Sequence, residues 1–187
     1  MIDTHKTLYS PLKTRLQLAS CAMMWGCRLL LLALPVALAT YWLSASDAAL
    51  VSGAHLPTHA VAQPLADWQR IVAALIAAVP LALLLVGLKQ AGSCFQMFSR
   101  GQVFTLQAAR LLGSFAAWVA WAALASLLAD SAISSLLTLD NPPGQRHLSV
   151  AIGSEQVLLL FFAGMVWLMA SVITQGHSLA EENEGFV

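Results

Sequence analysis

The stretch Ile71–Leu88 reads IVAALIAAVPLALLLVGL, without a charged or hydrogen-bonding side chain anywhere in it. An apolar run of about 18 residues or more is long enough to cross, as a helix, a hydrocarbon core about 30 Å thick. Backbone groups in lipid find no water, so a lone crossing segment must bond its own N–H and C=O groups and is a helix. Three further runs have the same character: Met23–Leu43, Leu111–Ala129 and Val157–Thr174. Of the four, the first alone contains a charge, Arg28. The many short alternating segments of a membrane barrel are absent. The expected fold is an all-α membrane protein, a four-transmembrane-helix bundle forming one integral membrane domain over residues 1–187.

The whole chain agrees with its most apolar part. Its 187 residues are 59% hydrophobic and 10% charged, and the mean hydropathy is +0.75. Soluble domains carry about 25% charged residues. This composition excludes a cytosolic enzyme, a disordered regulator and a nucleic-acid binder working through bulk positive charge. Nine Lys and Arg balance nine Asp and Glu, which leaves no net field to attract a polyanion, and no direct nucleic-acid binding is expected.

Orientation follows from where the cations sit. Lys6, Lys13, Arg15 and Arg28 precede or begin the first span, and Lys89, Arg100 and Arg110 lie between the second and third. The other two connections hold Arg70 and Arg146. Both termini and the middle loop are therefore expected in the cytoplasm, with the chain in a bacterial inner (plasma) membrane. Arg28 lies about two turns inside the first span, where a long side chain snorkels to the headgroups; a functional intramembrane charge is the sharper alternative. Ala37-Leu38-Ala39 has the small-residue spacing of a signal cleavage site, but the region before the apolar run is too long for a signal peptide.

The two halves share a layout of basic lead-in, span, exterior loop and span, which a parallel duplication or any pair of similar hairpins would produce. Pro35 and Pro80 fall near the middle of their spans and read as tolerated bends. In the third span Gly113, Ala116, Ala120 and Ala123 form one stripe of small residues, and the fourth offers Gly164 and Ser171. Such stripes let helices approach closely in lipid, here within the chain or between copies in a homo-oligomer.

In the first exterior loop His55 and His59 have a metal-binding spacing, but Pro57 between them argues against the helix it needs. The second loop carries Asp140-Asn141-Pro142-Pro143-Gly144, a turn signal whose flanks, Ile133–Leu139 and His147–Ile152, predict a short β-hairpin. Ser154 has the side chain of an N-cap for the fourth helix. Cys21, Cys27 and Cys94 lie on or near the cytoplasmic side, and no disulfide, metal or cofactor is expected.

The cytoplasmic loop reads Ser99-Arg100-Gly101-Gln102-Val103-Phe104-Thr105 and leads through Arg110 to Gly113. Gly101 permits a turn and Thr105 can cap the next helix. The chain ends in Leu179-Ala180-Glu181-Glu182-Asn183-Glu184-Gly185-Phe186-Val187. Here the sequence resembles the bacterial family catalogued as domain of unknown function 2975, small four-span membrane proteins. Gly101, Phe104, Thr105, Arg110 and Gly113 match its Gly-x-x-Phe-Thr/Ser segment and following Arg and Gly. Leu179, Glu181, Glu182, Asn183 and Val187 match its acidic tail. The resemblance implies no established activity. It implies a link to small helix-turn-helix regulators, whose genes neighbour those of some members.

On residue chemistry alone, Glu181, Glu182 and Glu184 share the cytoplasmic side with Lys89, Arg100 and Arg110. The acidic tail is a solvated helix end, a latch onto the loop, or a docking site for a basic partner such as a DNA-binding regulator. Enzyme catalysis is not expected, because the spans place no His or carboxylate beside their Ser, Thr, Tyr and Cys. Coupled transport is disfavoured for the same reason. The favoured function is a regulatory, sensory or accessory membrane protein acting through this face. A small oligomeric channel or facilitator is the alternative.

Overall fold

The computed structural model describes the backbone of residues 4–53, 65–103, 105–139 and 153–184, and the side chains of those from 15 to 177. Five helices follow in order: α1 (Thr4–Ser44), α2 (Asp47–Gly53), α3 (Asp67–Ser99), α4 (Leu106–Leu137) and α5 (Ser154–Glu184). Among the described residues there is no strand. Four helices contain segments long and apolar enough to cross a membrane: Arg15–Ser44, Asp67–Ser99, Leu106–Leu137 and Ser154–His177. At 1.5 Å per residue the 33 residues of α3 reach about 50 Å, well past the hydrocarbon thickness. Pro35 and Pro80 lie inside α1 and α3, which remain helical across them.

The helix ends follow from local chemistry. Ser46 opens α2: its hydroxyl and its carbonyl both accept from the Ala49 N–H, at 3.4 and 3.0 Å. Ala66 opens α3, its N–H donating to Gln69 Oε1 at 3.1 Å, which is half of a capping box. At α5 the Gly153 carbonyl accepts from the Val157 N–H, so Gly153 is the cap and Ser154 the first helical residue. That moves the expected cap by one position.

The expected hairpin is replaced by helix in its first arm. Ile133, Leu136 and Leu137 are buried at helical spacing, which turns all three to one face. The hydroxyls of Ser134, Ser135 and Thr138 donate back to carbonyls three or four residues earlier, at 2.9, 2.9 and 3.0 Å. These hydroxyls thus bond back along the chain as helix serines and threonines do, and the chain leaves the helix only at Thr138. The second arm, His147–Ile152, the Asp140–Gly144 turn and the His55–His59 pair lie outside the described residues.

The chain divides into two units. The first comprises Met1–Leu31, Val86–Trp118 and Phe162–Val187. Its contacts are made by small side chains. Cys27 of α1 lies 3.5 Å from where a Cβ on Gly92 would stand, and a Cβ on Gly113 would stand 3.6 Å from that of Ala170. Gly87 is tighter, with Trp118 Cβ at 3.1 Å from its missing methyl. The buried Cys94 thiol donates to Ala108 O at 3.6 Å. Such close approach is how helices associate where no hydrophobic effect separates them from lipid.

The second unit comprises Leu32–Leu85 and Val119–Phe161. It holds a core of Leu50, Val51, Leu65, Ala73, Ile133, Leu136 and Leu137, with Trp42 and Ile76 packed against it. Elsewhere large apolar side chains face outward, Leu43 at 84% and Leu128 at 74% exposure among them. A soluble surface does not tolerate that much contiguous apolar area; a lipid-facing one requires it.

Leu137→Ala is expected to lower stability by about 2–5 kcal/mol through the cavity it leaves, whereas Leu128→Ala is expected to stay within about 0.5 kcal/mol. Reversible unfolding in mixed micelles measures both.

Candidate functional site

The loop between α3 and α4 is fixed at both ends. Gly101 has φ 82°, the left-handed region. The Gln102 N–H donates to Met97 O at 3.1 Å and the Gly101 N–H to Phe98 O at 3.0 Å. Those two bonds make a Schellman motif, which closes a helix with its penultimate residue left-handed. Three residues later Thr105 caps α4: its hydroxyl accepts from the Ala108 N–H at 3.2 Å and its carbonyl from the Ala109 N–H at 3.1 Å. Arg100, Gly101 and Gln102 are exposed between these anchors. Phe104 lies outside the described residues.

Arg110 is exposed on the second turn of α4. The helix α5 continues to Glu184. The side chains of Glu181, Glu182 and Glu184, which the latch and docking readings involve, lie outside the described ones, as do Phe186 and Val187. Arg28 is exposed, its guanidinium 5.3 Å from the ring centroid of the exposed Trp25. A guanidinium at that distance from an indole is in reach of a cation–π contact on the exposed side of α1.

The small residues sort by face. Gly113 meets Ala170 in the first unit, and Ala116 is buried there; Ala123 is buried in the second unit and Ala120 half-buried. Gly164 is exposed, with no heavy atom within 4 Å of its Cβ position. Among the described side chains of α5 the buried ones are Ala163 and Ala170, spaced seven apart on one side of the helix. Ser171 is half-buried and donates to Trp167 O at 2.9 Å.

The second unit contains a polar clamp that counting Arg70 only toward orientation overlooks. Arg70 of α3 forms an ion pair with Asp47 of α2 and also donates to Ala45 O at 3.4 Å. Asp47 accepts in addition from the Leu65 N–H at 3.3 Å. The Arg70 guanidinium holds the Asp47 carboxyl below its ordinary value; partial burial opposes this and the Leu65 bond assists. Beside it Gln69, 2% exposed, donates to Leu136 O at 3.5 Å, and Tyr41 donates to Ala49 O at 3.4 Å. The signal in the sequence was two opposite charges flanking one interspan connection. A cavity of about 190 Å³ nearby is lined by Tyr41, Trp42, Leu50, Gly53 and Asp130. Asp130 ends the apolar run of the third span, but α4 carries on for two turns beyond it.

Among the described residues no group of three or more His, Cys, Asp or Glu is arranged to hold a metal ion. Four long apolar helices are compatible with an integral membrane protein and suggest a multi-pass one. No family model, curated protein or solved structure matches the chain.

Gly101→Ala is expected to cost about 1 kcal/mol, the strain of a Cβ in the left-handed region, read as a lower unfolding midpoint in detergent. Asp47→Asn tests the clamp. Because the folded-state value of Asp47 is lowered, its contribution is present above the ordinary value of 3.8 and lost as the pH falls through the depressed one. The wild type should therefore exceed the variant by up to about 1 kcal/mol at neutral pH. The gap should close in acid and narrow at high salt.

Proposed function

We propose that this chain is a non-enzymatic membrane protein that serves as a sensor, regulator or accessory partner. It acts through the face formed by Arg100, Gly101, Phe104, Thr105 and Arg110 together with the acidic segment of Glu181, Glu182 and Glu184. The observation that carries the reading is the loop itself. A Schellman motif at the end of α3 and a threonine cap at the start of α4 bracket the exposed residues Arg100, Gly101 and Gln102. A turn held this way loses little conformational entropy on binding, which favours recognition. The reading includes the likeness to the domain of unknown function 2975 family and a bacterial inner-membrane location with both termini in the cytoplasm. It also includes a basic partner such as a helix-turn-helix regulator, drawn to the acidic segment by complementary charge.

Purification of the full chain from native membranes in mild detergent, with mass spectrometry of what accompanies it, tests this. A stoichiometric protein partner is expected, released when Glu181→Lys and Glu182→Lys are combined. Recovery of the chain alone, or a partner retained by the charge-reversed variant, overturns the reading.

A further inference from the structure

The first unit contains a groove of about 250 Å³ between α4 and α5. Its walls are Arg110 and Gly113 on one helix and Ala170, Ser171, Thr174 and Gln175 on the other. Gly113 and Ala170 put little side-chain volume into this slot, and a Cβ on Gly113 would touch that of Ala170, at 3.6 Å. The two hydroxyls in it are already satisfied: Ser171 donates to Trp167 O and Thr174 to Ala170 O, both at 2.9 Å. The middle of the slot therefore offers no free hydroxyl donor, and Arg110 and Gln175, both exposed, stand at its polar end.

Depth and charge select the occupant. Arg110 immediately precedes the uncharged run Leu111–Ala129, so in a chain that spans a bilayer it stands at the headgroup end of that run. Among the described residues the ion pair formed is Arg70 with Asp47, and none has Arg110 as a member. A guanidinium presents a fork of donors that matches phosphate oxygens, and a carboxamide adds two more. Basic pockets between membrane helices bind anionic lipid headgroups in this way. Arg28 is a contrast, because its guanidinium lies over Trp25 and it does not line this groove.

We propose that this groove binds an anionic phospholipid. Arg110 and Gln175 hold the phosphate, and one acyl chain lies in the slot over Gly113 and Ala170. The inference rests on the chain lying in a bilayer and not on the partner reading above, so either can fail alone.

The test is native mass spectrometry of the full chain in neutral detergent, titrated with phosphatidylglycerol or phosphatidylcholine. Phosphatidylglycerol should bind preferentially. Arg110→Gln should weaken it about tenfold, the loss expected for one charge-assisted hydrogen bond. Ser171→Leu, which fills the slot on an outer helix face, should weaken it as well. Arg28→Gln should leave it unchanged. Equal adducts for the two lipids, or full retention by Arg110→Gln, overturns the proposal. So does a homodimer that Arg110→Gln dissociates with no change in lipid adducts, since the groove is then filled by a second copy.

Discussion

Inside a hydrocarbon layer no water is at hand for a free amide or carbonyl, and the long elements of this chain answer to that constraint. It makes them helices, and it also governs what happens at their ends and polar side chains. Serine hydroxyls in α4 and α5 and the Thr174 hydroxyl donate to carbonyls three or four residues earlier in their own helix. Where the backbone must stop being helical, a specific device takes over the released groups. The glycine at 101, the glutamine at 69 and the threonine at 105 are three such devices with three different chemistries.

The same constraint separates two ways of holding helices together. In the first unit the gain comes from proximity: cysteine, alanine and glycine let backbones approach until dispersion contacts accumulate. The second unit instead has a core of branched side chains together with an ion pair and the buried amide of Gln69. A short amphipathic helix, α2, joins this core through Leu50 and Val51 while Asp47 is tied to Arg70.

The four long helices were legible because an uncharged run like Ile71–Leu88 has no competing interpretation. Their full lengths were not, since polar flanks carry no apolar signal although caps let the helix continue through them. The seven residues of α2 are too few to establish a period, so its buried pair stayed hidden. The hairpin expectation failed because Ile133–Leu139 was weighed by its nearby turn signal, while its apolar residues were spaced for a helix. In the candidate site, the turn at Gly101 and the cap at Thr105 follow from residue type alone. The face of α5 does not: Gly164 sits about 100° around the helix from the buried Ala163. In a helix that is apolar all round, composition does not say which side meets protein. The Asp47–Arg70 pair was visible only as two charges, because pairing is a property of how the connection folds.

The bond from Gln69 to Leu136 joins residues 67 apart in the chain. During synthesis α1, α2 and α3 therefore emerge with the floor of the second unit still missing, since Ile133, Leu136 and Leu137 arrive only with the end of α4. Until then the Gln69 side-chain N–H lacks its Leu136 acceptor, and Leu50 and Val51 lack three of the side chains that complete their core. A nascent chain paused before α4 thus leaves more of that amide and that apolar pair uncovered than the finished one does.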